Sequence, residues 1–356
     1  MNDTPAIRAL SSASYGAQRM LWAFGQDAKA APAGAYLPAR DVGQRLDGLV
    51  ATASGLQLAR GAVAGSMETD PIEAPAFDWL VPWWNAETAG EGTVEFFAQV
   101  EAASGWTRWF SLGRWGRVSS SFSCAEDAAK VEADTLALKA KVSRYKLRIE
   151  LSAGAGGAGA SLLRRCGVIT RDKSSERPAT RLYYLKESAA KVPARSQMIE
   201  AEGIKGRICS PTCAAMALQW LGIDLPTAFV AADCWDAGEK IYGNWPFNVA
   251  SLWRLGARAR LEFFPNMEAT VGELFAGRVI IASIKFGEGA LTGAPIKKTN
   301  GHLVLVRGLH KTAAGGYAVL VNDPAAGDVA EVPRAYDLAE FERAWSGVGY
   351  LIEGRR

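Results

Sequence analysis

The sequence of 356 residues lacks features that mark several common protein classes. It has no CxxC motif and no cluster of Cys and His at metal-ligand spacing, so we expect neither a metal nor another cofactor. Its five cysteines are an odd number in a long chain, which argues against a disulfide framework. Forty basic residues nearly balance 37 acidic ones without a long run of one sign, so we expect no nucleic acid and no membrane partner.

Long apolar segments are also missing. No stretch approaches the roughly 20 apolar residues of a membrane-spanning helix. The N-terminus has no basic start followed by a long apolar run, as a signal peptide would. We therefore expect a cytoplasmic protein, or a secreted or periplasmic one if the sequence has been shortened at its start. Hydrophobic residues make up 49% of the chain, which is ordinary for a globular protein with a sizeable core.

The first half of the chain has the pattern of β-structure. Short strand-like segments recur between glycine turns: Leu56–Val63, Thr93–Val100, Trp106–Leu112, Val118–Cys124, Ser143–Leu151 and Ser161–Thr170. This spacing predicts an all-β sandwich over residues 45–172. We assign residues 1–44, with a short helix predicted at Gly16–Phe24, to an N-terminal extension, and the polar residues 173–192 to a linker.

The second half, residues 193–356, changes character and predicts an α+β domain. Helix patterns at Pro211–Leu221, ended by Gly222, and at Phe247–Leu255 come first. Strand patterns follow at Val279–Lys285, His302–Leu309, Tyr317–Val321 and Gly349–Ile352. Helix first and strands later is the order of a domain with an N-terminal helix and an antiparallel sheet.

Cys209 is the candidate nucleophile. Ser210 is expected to cap the following helix and Pro211 to occupy its first position, so Cys209 lies where the helix dipole favours a thiolate. The segment alone fits an inert buried cysteine equally well. Cys213, one helical turn further on, is expected to face the core with Met216, and Cys124, Cys166 and Cys234 are also read as structural.

The chain has only two histidines, and a thiol enzyme of this kind needs one as its base. His302 opens a strand beside Gly301, a position suited to a cleft edge, whereas His310 ends the same strand and is read as a solvated turn residue. If 302–309 and 317–321 pair as a hairpin, Asp323 lies near His302 and can accept a hydrogen bond from its ring. By itself Asp323-Pro324 would more often be a turn.

Acyl transfer also needs donors for the developing oxyanion. Gln197 precedes Cys209 by 12 residues, and its amide together with the backbone N–H of Cys209 would form an oxyanion hole. From its chemistry alone, one Gln in a loop is usually just a polar residue.

Several motifs resemble the papain-fold peptidases related to bacteriocin leader-processing (double-glycine) peptidases. They are SQM at 196–198, CSPTCAAMALQWLG at 209–222, YGNWPFNVA at 242–250, GHLVLVRG at 301–308 and NDPA at 322–325. The YGNWPFNVA segment, with FDWLVPWWNA at 77–86 and WTRWFSLGRW at 106–115, resembles stand-alone bacterial members that carry an N-terminal β-sandwich. The resemblance implies a papain-like domain and a site formed by Cys209, His302, Asp323 and Gln197.

The chain departs from this family in three respects. Ser210 follows the nucleophile where Gly is common, the Gln197-to-Cys209 spacing is longer than expected, and there is no secretion signal although many relatives are exported. The resulting hypothesis is a cysteine peptidase that cleaves peptides or proteins through a thioester. The alternatives are another thiol acyl-transfer enzyme (an amidase, transpeptidase or isopeptidase, with peptidoglycan peptides as one candidate substrate) and a binding protein with an inactive thiol domain.

Seven of the twelve tryptophans precede residue 120. Six of them are candidates for a platform that binds a glycan or peptide: Trp79, Trp83, Trp84, Trp106, Trp109 and Trp115. The favoured interpretation is that they pack the sandwich, with substrate positioning second. If the strand is regular, Trp106 and Trp109 must face opposite sides of it.

Overall fold

The computed structural model describes residues 7–29, 36–39 and 42–356, so residues 1–6, 30–35 and 40–41 of the predicted N-terminal extension lie outside the described residues. The chain forms two compact units. The first contains the described residues up to Glu176 together with Asp236–Lys240 and Asn244–Ala250. The second contains Arg177–Trp235, Ile241–Gly243 and Ser251–Arg356.

Up to Glu176, the described part of the first unit consists of strands and a single 3₁₀ turn, Gly25–Ala28. The strands are β1 (Ile7–Ser14), β2 (Ala17–Phe24), β3 (Leu37–Pro38), β4 (Gln44–Asp47), β5 (Leu49–Thr52), β6 (Gly55–Leu58), β7 (Ala64–Thr69), β8 (Ile72–Ala89), β9 (Thr93–Ala102), β10 (Gly105–Trp106), β11 (Phe110–Trp115), β12 (Cys124–Ala125), β13 (Ala129–Glu132), β14 (Thr135–Ser152) and β15 (Ala160–Arg171). One path of paired strands runs β10-β9-β14-β8-β15-β2-β1-β3, with the other strands branching from it.

The helix predicted at Gly16–Phe24 is wrong. β1 and β2 form an antiparallel hairpin, and β2 also pairs with β15 through Arg165–Arg171. Tyr15 and Gly16 both have positive φ, 51° and 68°, as in the tight turns that match strand twist. β2 is buried along nearly its whole length, so it shows none of the polar alternation that identifies a strand in sequence. The strand predicted at Val118–Cys124 is also absent: only Cys124 of this range belongs to a strand, β12, and Ser120 forms an isolated bridge with Arg114.

Two 18-residue strands, β8 and β14, connect the sheet. The first part of β14 pairs with β8 and β13, and its last part pairs with β9 and β7. A strand that changes partners along its length can pass from one packed layer to another. The sandwich arrangement itself stays a sequence-based prediction.

Four of the six tryptophans proposed as a platform are buried in this unit. Trp83, Trp84 and Trp115 are at most 1% exposed and Trp79 is 9% exposed. Trp84 stacks on Phe96 with ring centroids 5.8 Å apart. A ligand platform made of all six tryptophans is therefore wrong, because four of them lie inside the core, as the packing interpretation expected.

Trp106 and Trp109 are half-buried and do not share a regular strand, because residues 107–109 lie between β10 and β11. Lys146 lies 4.9 Å from the Trp106 ring centroid, and Arg148 lies 4.3 Å from that of Trp109. Positions 146 and 148 are two residues apart, so their side chains lie on the same face of β14. The two rings therefore lie over the same face of this strand, and the expected opposition fails because the strand is broken.

Asp236 holds the later segments of the first unit in place. Its buried carboxylate accepts hydrogen bonds from the backbone N–H groups of Ser121 (2.9 Å) and Gly238 (3.0 Å) and from the amide of Asn244 (2.9 Å). Further along, Phe247 enters the core beside Trp84 and Trp115, with centroids 6.0 Å and 5.7 Å away. The YGNWPFNVA motif thus contributes apolar packing to the first unit from a distant part of the chain.

The second unit combines helices with one sheet. Its elements, including a helix shared with the first unit (α3), are β16 (Ser188–Ala189), α1 (Cys209–Trp220), α2 (Thr227–Asp233), α3 (Trp245–Arg254), β17 (Ala257–Phe263), α4 (Met267–Phe275), β18 (Val279–Phe286), β19 (Thr299–Lys311), β20 (Tyr317–Asn322), β21 (Pro333–Asp337), α5 (Leu338–Ala344) and β22 (Trp345–Arg355). The sheet is antiparallel, in the order β17-β22-β18-β19-β20-β21, with β16 beside β19.

The α+β assignment therefore describes the second unit, and the predicted elements lie close to α1, α3, β18, β19, β20 and β22. The order of helices first and strands later is wrong, because α4 and α5, which were not predicted, lie among the strands. The predicted linker differs from the structure, since residues 177–192 lie within this unit. Ser188 and Ala189 pair with Leu309 and Gly308 of β19, and Leu185 packs into the core. The backbone of Ser188 and Ala189 and the buried side chain of Leu185 attach this stretch to the unit.

Helix α1 is buried from Ser210 to Leu218 and packs against β18 and β19. Its end has the predicted glycine: Gly222 has φ +80° and donates to the carbonyl of Gln219, while Ile223 donates to that of Leu218. These two bonds form a Schellman motif, which satisfies the last carbonyls of the helix.

Two glycine-to-alanine substitutions in this unit should have opposite effects. Gly222→Ala should lower the free energy of unfolding by about 1 kcal/mol, because alanine is strained at positive φ. Gly272→Ala, at an exposed position inside α4 with no atom near the added methyl, should raise it by about 0.5–1 kcal/mol. Chemical denaturation followed by tryptophan fluorescence measures both, and a shared sign would contradict the expectation.

Candidate active site

Cys209 begins helix α1, as the sequence predicted for a residue at the helix mouth. The capping residue is Ile208, whose carbonyl accepts the first helical hydrogen bond from Thr212 at 2.9 Å. Pro211 lies in the first turn, where its missing N–H costs no hydrogen bond. The predicted N-cap role of Ser210 is wrong, because the helix starts one residue before it.

Ser210 instead makes a buried contact with the sheet. Its hydroxyl lies 2.9 Å from the hydroxyl of Tyr350 in β22, and its side chain is fully buried. A glycine at this position would have no such hydroxyl. The departure from the family pattern therefore links the start of α1 to the sheet.

His302 lies in β19, between β18 and β20, and is 3% exposed. Its Nε2 lies 2.8 Å from Oδ1 of Asp323, which is 1% exposed. Nδ1 is thus the ring nitrogen left for the hydrogen bond between the side chains of His302 and Cys209. In the structure His302 contacts both Cys209 and Asp323, which is the arrangement that the sequence suggested.

Asp323 follows the last residue of β20, in the hairpin expected between 302–309 and 317–321. Its carboxylate accepts three hydrogen bonds: from His302, from the backbone N–H of Ala325 at 2.9 Å and from the hydroxyl of Tyr336 at 2.7 Å. Its own backbone N–H donates to the carbonyl of Val332 at 2.8 Å. Both carboxylate oxygens are therefore held in a defined orientation.

This environment shifts the pKa of each group. Burial alone would raise the pKa of Cys209, but the hydrogen bond and charge of His302, with the backbone groups of Leu303 and Ser210, lower it below the ordinary thiol value. Burial alone would lower the pKa of His302, but Asp323 and Cys209 raise it to about 10. Burial would likewise raise the pKa of Asp323, and His302, Tyr336 and Ala325 together lower it.

The consequence is a charged pair of thiolate and imidazolium. It is favoured from the lowered pKa of Cys209 up to about pH 10, where the pKa of His302 lies. Because the two groups stabilise each other's charge, removing either one returns the other toward its ordinary behaviour.

Gln197 is 4% exposed and begins a short 3₁₀ turn, Gln197–Ile199. Its Oε1 accepts a hydrogen bond of 3.0 Å from the backbone N–H of Ile208, the residue before Cys209. Its own backbone N–H donates to the carbonyl of Pro324, beside Asp323, at 2.9 Å. The amide oxygen is thus occupied, and Nε2 is the end of the side chain that remains to donate.

The other cysteines and the second histidine lie elsewhere. Cys213 is fully buried, and its thiol donates to the carbonyl of Leu303 at 3.4 Å; burial raises its pKa and that of Cys234. His310 is not in the turn but in β19, half-buried and paired with Ala318. The strand continues past it because Lys311 still pairs with Tyr317.

Sequence reasoning missed the groups that support the site from further away. Tyr336 and Tyr350 come from β21 and β22, and neither carries a local motif. The alternation of β21 (Pro333–Asp337), in which Tyr336 is its one buried residue, was the only signal that marked that tyrosine as inward-facing.

No group of three or more His, Cys, Asp or Glu side chains suited to a metal ion occurs among the described residues. In the same part of the chain, no helix is both long enough and apolar enough to span a membrane.

In the comparison with known proteins, two family models match parts of the chain. Residues 189–352 match the Peptidase_C39 like family, and residues 61–171 match the Peptidase C39 N-terminal domain. The search of curated proteins found no match.

Two solved structures are similar to about half of the chain. One is a double glycine motif protease from an AMS/PCAT transporter in complex with the leader peptide, 19% identical, covering 47% of this chain and 99% of that one, with a TM-score of 0.31. The other is a putative C39-like peptidase from Bacillus anthracis, 16% identical, covering 48% and 99%, with a TM-score of 0.36. These TM-scores are too low to support an inference.

Iodoacetamide should alkylate Cys209 much faster than Cys213 or Cys234 near neutral pH, because only the thiolate reacts and only the pKa of Cys209 is lowered. The rate of Cys209 alkylation should fall only when the pH drops through the lowered pKa of Cys209, which lies below the pKa of an ordinary thiol. His302→Ala should move this fall to higher pH. Mass spectrometry of the digested protein measures each site, and equally slow labelling of Cys209 and Cys234 would contradict the charged pair.

Proposed function

We propose that residues 189–352, which match the Peptidase_C39 like family, act as a cysteine peptidase, a hydrolase, with Cys209, His302 and Asp323 as its catalytic triad. The observation that carries the proposal is the position of the His302 ring, which bonds Asp323 through Nε2 at 2.8 Å and pairs with Cys209. A nucleophile, a base and an orienting carboxylate in this arrangement perform acyl transfer in unrelated folds.

In the first half of the reaction, the Cys209 thiolate attacks the carbonyl carbon of the scissile peptide bond. The carbonyl π electrons move onto oxygen and form an oxyanion. When the C–N bond breaks, the imidazolium of His302 gives its proton to the departing amine, and a thioester remains on Cys209. Asp323 keeps the ring oriented and stabilises its positive charge before that transfer.

In the second half, neutral His302 accepts a proton from water as the water oxygen attacks the thioester. The second oxyanion collapses, the C–S bond breaks, and the carboxylic acid product leaves. Cys209 departs as the thiolate and His302 is again the imidazolium, so the charged pair is restored.

The oxyanion of both steps needs preorganised donors. Two candidates are the Nε2 group of Gln197 and the backbone N–H of Cys209, which lies in the first turn of α1 and has no helical acceptor there. The bond from Ile208 to Oε1 of Gln197 supports this role, because it fixes which end of the amide can donate.

Substitutions in the triad test the proposal with a synthetic peptide library and mass-spectrometric detection of cleavage. Cys209→Ala should abolish turnover with the fold retained, and His302→Ala should be nearly as severe. Asp323→Asn should cost about 10⁴-fold in kcat, less than the loss of His302, because asparagine can hold the ring but not stabilise its charge. Cys213→Ala and His310→Ala are the matched controls, and full activity of Cys209→Ala with loss in Cys213→Ala would place the nucleophile one helical turn away.

Two substitutions at Gln197 separate an oxyanion donor from a structural anchor. Gln197→Glu keeps an oxygen for the N–H of Ile208 but removes the Nε2 donor, and Gln197→Ala removes both. If Gln197 donates to the oxyanion, both should lower kcat by about 10²- to 10³-fold with little change in KM. If it only anchors Ile208, Gln197→Glu should keep most of the activity.

A further inference from the structure

A pocket of about 740 Å³ lies in the second unit, close in the chain to His302. Its walls come from three places: the end of β18 with Gly287, the residues at the start of β19, and the junction of α5 with β22. The buried side chains of Phe286, Ala344 and Trp345 form its apolar part.

The rim of this pocket is positively charged. Lys285, Lys298 and Arg343 line it and are exposed, and no Asp or Glu is among its lining residues. Across the described ranges, none of these three cations has a carboxylate within ion-pairing distance, although the unit contains many such pairs, such as Arg278 with Glu273. Three unpaired cations over an aromatic wall favour an anionic guest that also has apolar surface.

The register of the sheet gives the distance from the candidate site. Ile284 of β18 pairs with His302 on one side and with Trp345 on the other. Neighbouring strands are about 4.8 Å apart, so the backbones of His302 and Trp345 are separated by about 10 Å. An extended peptide covers this distance in about three residues.

The chemistry of the proposed reaction indicates which part of the substrate passes near this pocket. His302 hands its proton to the amine that leaves, so the leaving part of the substrate passes on the His302 side of Cys209. Resting on the proposed function, we propose that this pocket is a subsite for an acidic side chain of the substrate, within about three residues after the scissile bond. The peptidase thereby selects peptides with Asp or Glu on the leaving side.

The test is a peptide library randomised around a central position, digested by the wild-type chain, with cleavage sites read by mass spectrometry. Asp and Glu should be preferred over their uncharged counterparts Asn and Gln by about three- to tenfold at those positions, since each exposed ion pair contributes modestly. Added salt should weaken the preference, because the cations are exposed to solvent.

The variant that removes the charges is Lys285→Gln combined with Lys298→Gln and Arg343→Gln. It should lose the acidic preference, while Lys311→Gln, an exposed lysine at the far end of β19, should keep it. Thermal melting and alkylation of Cys209 check that the triple variant folds. Cleavage that depends on Cys209 but shows no acidic preference overturns the subsite alone, whereas absence of Cys209-dependent cleavage overturns the proposed function and the subsite with it.

Discussion

The hydrogen bond between His302 and Asp323 is the interaction on which the candidate site depends. A carboxylate that is 1% exposed would be strongly destabilising without donors, because transfer of a charge out of water is costly. Asp323 meets this requirement with a ring N–H, a backbone N–H and the Tyr336 hydroxyl. The same hydrogen bonds keep Asp323 ionised. Its negative charge favours the imidazolium form of His302, which pairs with Cys209.

The site also requires three distant parts of the chain to meet. Helix α1 supplies Cys209, and the hairpin of β19 and β20 supplies His302 and positions Asp323. The segment around Gln197 touches both: Ser196 and Gln197 bond to the carbonyls of Ala326 and Pro324 after Asp323, and Gln197 bonds to Ile208 before Cys209. A residue proposed to stabilise the oxyanion therefore also ties the two halves of the site together.

The local sequence pattern was sufficient to predict a helix or strand wherever that element's own residues mark its type and its ends. The strands at β18, β19 and β20 are apolar runs bounded by turn residues, and α1 ends at the glycine that its sequence predicted. Prediction failed where burial removed the alternation or where packing decided the outcome. β2 is buried on both faces and reads like a helix, while Ser188 and Ala189 look like linker residues until β19 is available to pair with them.

The sequence by itself determined the residue types of the candidate site and the start of a helix beside the cysteine, because helix starts and strand ends are encoded by neighbouring residues. These site residues are Gln197, Cys209, His302 and Asp323. Only the tertiary structure decided which ring nitrogen of His302 meets Asp323, that Tyr336 and Tyr350 support the site, and that three unpaired cations line one pocket. It also decided that Asp236 and Phe247 complete the first unit. These features come from residues far apart in the chain, and their pKa values and partners exist only once burial has excluded water and fixed the distances between them.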